Sequence, residues 1–307
     1  EDGNCRRYRP FVVDPRIASQ PLGVEMTDSN IVEDVPWING LQVLETMEPA
    51  FRDNLGPAEG VHGLMSKYNI RVLYQDPVTT RRIDHVRADP GYEDLTCSAH
   101  DSVEECLVLA GSVTLDGEAT MRPGDYFWRP PGFVHCARSD EGFEALLMME
   151  GLSPSDGSGP VSRLVHPHEV AGENVINPDS EAAVGPRGWV MQQPVSHLPW
   201  GPIPDACWLE GAEAGLQAKT LSSNVHTEAG SWLVRSTHPV SVPAGTSDRE
   251  RFLVVTEGDV VAHDPNGSQS PRALAPMSLI RVPAGSELPM LDVAPGASIF
   301  LKAGQRA

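Results

Sequence analysis

Ser98-Ala99-His100-Asp101-Ser102-Val103-Glu104, running on to Gly111, decides how this chain folds, together with Pro123-Gly124 and Pro130-Pro131-Gly132-Phe133-Val134-His135. The apolar segments here are short and punctuated by glycine and proline, the residues that supply turn geometry. A strand sends alternate side chains to opposite faces, so positions 98 and 100 look the same way. After the turn at Asp101-Ser102, Glu104, Cys106 and Val108 alternate on the next strand, which returns Glu104 to the same mouth. Gly111 and Pro123-Gly124-Asp125 permit two further tight turns, and Pro130-Pro131-Gly132 sets down His135. His100, Glu104 and His135 therefore converge as two histidines and one carboxylate. That ligand set favours Fe(II) with open coordination positions, each donor at about 2.0–2.2 Å from the ion.

These residues resemble the two motifs of the cupin superfamily. The first motif there runs His-x-His, three or four residues, Glu, six residues, Gly. His100, Glu104 and Gly111 match it, with Ser98 in the place of the first His. The second runs Gly, five residues, Pro-x-Gly, two residues, His, which Gly124, Pro130, Gly132 and His135 match. The wording Glu105-Cys106-Leu107-Val108-Leu109-Ala110-Gly111 and Pro123-Gly124-Asp125-Tyr126 is most similar to one branch of that superfamily. It contains the ChrR-type anti-sigma-factor cupin domain and the dioxygenases that cleave acetylacetone or dihydroxyacetophenone. The resemblance covers residues 60 to 150 well and 207 to 303 weakly, and it implies a β-barrel metalloprotein with a divalent metal. It does not fix a reaction, because one fold carries many chemistries.

The rest of the chain reads as a degenerate repeat. Short, often alternating segments fill residues 62 to 150, a rhythm that predicts an all-β barrel. A second series follows residue 207. Leu64-Met65-Ser66-Lys67 finds an echo in Leu216-Gln217-Ala218-Lys219, His85-Val86-Arg87 in Leu233-Val234-Arg235, and Leu109-Ala110-Gly111 in Thr256-Glu257-Gly258. Arg129-Pro130-Pro131-Gly132 recurs as Val282-Pro283-Ala284-Gly285. The offset drifts from 147 (Gly111 to Gly258) to 153 (Gly132 to Gly285), with Asp264 to Ser268 read as a hairpin insertion. The expected fold is thus all-β, two tandem cupin (double-stranded β-helix, jelly-roll) barrels with an N-terminal extension. The expected organisation is an arm and short helix over 1–60, a metal-binding barrel over 61–150, a linker over 151–206 and a degenerate barrel over 207–307. The helix is placed between Leu41 and Leu55. Across the repeat Glu104 falls on Arg251, His135 on Leu288 and His100 on Ser247 or Asp248, so the second barrel loses every ligand. Its expected role is structural, dimer-forming or pocket-closing, which gives a homodimer as the expected assembly.

Composition narrows the partners. The formal net charge of −19 opposes a phosphate backbone or an anionic membrane. No apolar run approaches the roughly 20 residues that span a bilayer, and Glu1-Asp2-Gly3-Asn4 begins no signal-like segment. Cys5, Cys97, Cys106, Cys136 and Cys207 form neither a CxxC pair nor an even framework, which reads as reduced thiols in a cytoplasmic protein. Cys97 and Cys136 flank the ligands as small buried hydrophobes. His166-Pro167-His168 has nothing to complete a metal set and reads as a solvated loop.

The functional expectation is an Fe(II)-dependent dioxygenase acting on a small, metal-chelating, oxygenated substrate. Two alternatives stay open: a redox-neutral isomerase, lyase or hydrolase using Mn, Zn or Ni, and a non-catalytic metal-binding or effector-binding sensor. Beside the ligands, Tyr126, Phe127 and Trp128 are candidates to shape an apolar pocket. Arg87 or Arg129 is a candidate to hold a carboxylate by bidentate pairing. His85, on the strand before the site, is the candidate for proton transfer.

Overall fold

The computed structural model describes residues 42–44, 52–53, 67–75, 81–94, 97–100, 103–116, 118–129, 135–150, 162–165, 190–204, 207, 209, 215–223, 229–264 and 270–306, with backbone alone over 42–44, 52–53, 97–100, 150, 162–165, 190–193 and 305–306. Strands β1 (Gln42–Leu44) and β2 (Arg52–Asp53) precede β3 (Tyr68–Gln75), β4 (Arg82–Ala88), β5 (Tyr92–Glu93), β6 (Cys97–His100), β7 (Val103–Gly111) and β8 (Val113–Leu115). Next come β9 (Ala119–Met121), β10 (Asp125–Arg129), β11 (Ala137–Ser139), β12 (Phe143–Glu150), β13 (Ser162–Val165) and β14 (Val190–Pro194). After a 3-10 turn at Val195–His197, the second series holds β15 (Leu216–Ser223), β16 (Gly230–Ser236), β17 (Val240–Val242), β18 (Gly245–Thr246), β19 (Arg249–Glu257) and β20 (Val260–His263). It closes with β21 (Arg272–Leu274), β22 (Leu279–Val282), β23 (Glu287–Leu288), β24 (Met290–Val293) and β25 (Ser298–Arg306).

Two barrels result, built to one plan. The first joins the sheet β14-β10-β7-β12-β4-β3-β2 to the sheet β5-β11-β8-β9. The second joins β1-β22-β19-β25-β16-β15 to β17-β24-β20-β21. Val86, Cys106, Val108, Phe127, Ala145 and Leu147 fill the first barrel. Trp232, Leu253, Val255, Ile280 and Leu301 fill the second. A third apolar layer lies between them, where Leu73, Tyr74, Leu107, Tyr126 and Leu146 meet Phe252, Val254, Leu279 and Phe300. This explains why β7 reads as a nearly continuous apolar run: Glu104, Cys106 and Val108 face the barrel interior, while Leu107 faces the other barrel, so both faces are buried. Gly111 ends β7 at φ +67°, where a Cβ would lie 2.1 Å from the Gly142 carbonyl oxygen.

Three expectations need correction. The segment from Leu41 to Leu55 holds strands, not a helix: Gln42–Leu44 pairs with β22 and Arg52–Asp53 with β3. Edge strands offer hydrogen-bond partners that outweigh weak local helix propensity. The stretch expected as a linker likewise contributes β13 on β6 and β14 on β10. The chain thus exchanges edges, since β1 completes the second barrel's sheet and β14 the first's. The Leu64 echo is out of register by four residues. Tyr68 opposes Ala88 as Leu216 opposes Ser236, and both first strands carry a bulge, between Val72 and Tyr74 and between Thr220 and Ser222.

Cysteine usage also departs from expectation. Cys106 and Cys207 are free and buried, whereas Cys136 is disulfide-bonded, so five reduced thiols is not the state of this structure. Pairing depends on proximity in space, which sequence spacing does not report. The three lysines all serve the fold. Lys67 donates to the Pro90 and Gly91 carbonyls, Lys219 to that of Val195, and Lys302 pairs with Glu105. Among the described residues no helix is long and apolar enough to cross a membrane.

Candidate metal centre

Antiparallel register builds the mouth of the first barrel. Arg129 opposes Glu104, Glu104 opposes Met149, and Met149 opposes Arg82, so β10, β7, β12 and β4 contribute one row. Directly opposed residues share a face. The next row inward holds Phe127, Cys106, Leu147 and Asp84.

Glu104 and His135 meet at this mouth. Both are buried, with Glu104 Oε2 3.7 Å from His135 Nε2. That separation is too long for a hydrogen bond. It suits two donors that share one ion at about 2.0–2.2 Å from each. Arg129 stands behind Glu104. Its Nη2 donates to Glu118 Oε1 at 2.6 Å, its Nη1 lies 3.5 Å from Glu104 Oε2, and its guanidinium stacks 4.1 Å from the Phe127 ring centroid. Burial pushes the Glu118 carboxyl up and Arg129 pulls it back. Burial, reinforced by the Glu104 charge, pushes the Cys106 thiol up, so it stays protonated and lines the wall. Tyr68 packs against the same interior. Its phenol is pushed well up by burial and by the nearby Cys106, Asp84 and Glu104.

The third expected ligand, His100, lies on β6, opposite Ser162, with Ser98 opposite Leu164. Positions 98 and 100 therefore share a face of one strand. The side chains of Cys97, Ser98 and His100, the turn Pro130 to Val134, residues 1–36 and His166 to His168 lie outside the described residues. Among the described residues no three His, Cys, Asp or Glu side chains form a metal-sized group. The two donors present, one carboxylate and one imidazole 3.7 Å apart, fit a divalent cation.

The remaining candidates divide by strand face. Phe127 points inside with Glu104 and His135, and Arg129 joins them, held by two carboxylates. Tyr126 and Trp128 point to the other barrel, and the Tyr126 hydroxyl donates to Glu105 Oε2 at 2.7 Å. His85 is on the outer face of β4, where Arg71 Nη2 meets its Nδ1 at 2.7 Å and its Nε2 lies 3.1 Å from Glu144 Oε2. A guanidinium can only donate, so Nδ1 accepts and Nε2 carries the proton. Burial and the Arg71 charge hold His85 below its usual range. Arg87 shares that outer face by alternation. Sequence reasoning passed over Arg82, Asp84 and Glu118. The period of two on β4 could have found the first two, because Val86 and Ala88 are interior and the same parity selects Asp84 and Arg82.

The second barrel replaces each feature. Arg251 stands where Glu104 does and opposes Val282, the counterpart of Arg129. Its Nη2 donates to the Gly245 carbonyl at 3.2 Å, and burial lowers it to about 10. Leu288, buried at 1% exposure, takes the place of His135.

No family model matches the sequence, and no curated protein matches it. Solved structures match the fold. A candidate dioxygenase from Nostoc punctiforme aligns with a TM-score of 0.59 at 17% identity, over 78% of this chain and 74% of that one. The E. coli protein YlbA aligns with a TM-score of 0.55 at 13% identity, over 90% and 95%. Oxalate decarboxylase from Bacillus subtilis aligns with a TM-score of 0.50 at 15% identity, over 78% and 72%. At these identities the likeness establishes the fold alone, all-β and built as two barrels.

Proposed function

We propose that the first barrel holds one divalent metal on His100, Glu104 and His135 and works as a non-haem Fe(II) dioxygenase on a small, metal-chelating, oxygenated substrate. The observation that carries this reading is the 3.7 Å approach of Glu104 Oε2 to His135 Nε2 inside a barrel mouth, at positions where the sister barrel has Arg251 and Leu288. Bound there, the metal supplies Lewis acidity and open coordination positions. The chain supplies the rest. Arg129 holds the Glu104 carboxylate in place, and Glu118 anchors Arg129 from behind. Cys106, Phe127 and Leu147 make the wall inward of the ligands apolar, which excludes water from the reacting group. Tyr68, held protonated by burial, can donate a hydrogen bond but cannot serve as a base.

Elemental analysis of protein purified without added metal, and again after anaerobic reconstitution, tests the metal. One equivalent per chain, lost in Glu104→Gln, is the expected result, and none after reconstitution overturns the site. Oxygen consumption over a panel of diketones and hydroxyketones tests the reaction. Uptake with Fe(II) but not Zn(II) supports a dioxygenase. Substrate loss without oxygen uptake overturns it in favour of redox-neutral chemistry.

A further inference from the structure

The row that carries Glu104 also carries a second cation. Arg82 is two strands away, on the far side of Met149, so its backbone is about 10 Å from that of Glu104 at roughly 4.8 Å per strand spacing. Its side chain enters the barrel, because Asp84, its ion-pair partner, lies inside. Nε donates to Asp84 Oδ2 at 3.0 Å and Nη2 to the same oxygen at 2.6 Å. Asp84 is buried at 2% exposure, while the Arg82 side chain is 31% exposed, so the carboxylate fixes one edge of the guanidinium and leaves part of the group within reach of water. Nη1 makes no hydrogen bond to a described residue.

The other cations near the site are committed differently. Arg129 is 1% exposed and held by Glu118 and Glu104, while Arg87 alternates to the outer face. The chain as a whole carries a net charge of −19, which repels anions from its surface. An anionic ligand therefore needs a local cation, and Arg82 is the water-reached one in this row.

Resting on the metal reading above, we infer that Arg82 recognises a carboxylate on the substrate, so that the barrel takes small oxo acids whose chelating end sits at Glu104 and His135 and whose anionic end crosses Met149. The planar guanidinium suits this task, since its second edge offers parallel N–H donors to a carboxylate.

The test uses the Mn(II)-loaded protein and two ligands with one chelating group, succinylacetone and its methyl ester, followed by water-proton relaxation. Wild type is expected to bind the acid at least about tenfold more tightly than the ester, the worth of one charge-assisted pairing. Arg82→Met is expected to abolish that preference while Mn(II) affinity and ester affinity stay unchanged. Arg82→Met with Asp84→Asn, which leaves no uncompensated buried charge, is expected to behave the same and serves if the single variant does not fold. No preference in wild type, a preference that survives in either variant, or a parallel loss for acid and ester overturns the inference. Absence of Mn(II) binding in wild type overturns the metal reading and this inference with it, whereas loss of the preference alone strikes only Arg82.

Discussion

Replacing Arg129 by methionine tests the electrostatics of the barrel mouth. The guanidinium is 1% exposed, donates to Glu118 at 2.6 Å, lies 3.5 Å from Glu104 and stacks on Phe127 at 4.1 Å. Methionine keeps most of the alkyl stem and removes the charge, which leaves Glu118, at 7% side-chain exposure, without its cation. Breaking a buried pair by removing one partner costs about 3–5 kcal/mol, and losing the cation–π contact adds about 1 kcal/mol. Proton uptake limits that cost. Burial already raises the Glu118 carboxyl, with Arg129 opposing the rise, so without Arg129 it rises further. A carboxyl raised in the folded state binds more protons folded than unfolded, so the variant loses stability as pH climbs through that raised value and recovers it below. Urea denaturation followed by tryptophan fluorescence should therefore show a loss of about 3–5 kcal/mol near pH 8, shrinking to about 1–2 kcal/mol near pH 5. A loss under about 1 kcal/mol at the higher pH, or one independent of pH, would refute the placement of Arg129 between two buried carboxylates.

Glu104→Gln and His135→Ala should each abolish metal retention by elemental analysis yet keep the wild-type far-ultraviolet spectrum, because the barrel cores rather than an ion hold the fold; full occupancy in either variant would remove that residue from the ligand set. Ser98→His should tighten metal binding and slow any reaction that needs two open positions, since positions 98 and 100 share a strand face; undiminished turnover with tighter metal would show that the vertex is not used. Phe252→Ala should cost about 3–5 kcal/mol in denaturant melts, as it empties a side chain packed 4.9 Å from the Tyr74 ring between the barrels; a loss under about 1 kcal/mol would mean the barrels are not coupled there. Gly111→Ala should cost more than Gly124→Ala. Both are left-handed, at about 1–2 kcal/mol of strain, but only at Gly111 does the added Cβ meet backbone, at 2.1 Å; equal losses would contradict the close approach of Gly142.

The turn spacing around Glu104 and His135, the strand rhythm and the repeat were legible in the sequence because each rests on local pattern. Turn glycines and prolines recur at set spacings, and a period of two places Glu104, Cys106 and Val108 on one face whatever lies across from them. The same rule, applied to Val86 and Ala88, would have passed over His85 for Asp84 and Arg82, but it first needs to know which face is inside. That choice belongs to tertiary structure. Both faces of β7 and β10 are buried, so hydrophobicity could not tell Phe127, inside the barrel, from Tyr126, against the second barrel. Nor could spacing reveal that Gln42–Leu44 completes the second barrel's sheet and Val190–Pro194 the first's, or that Cys136 is bonded. Those pairings join residues far apart in the chain, and only the assembled sheets bring the partners within reach of a hydrogen bond or a disulfide.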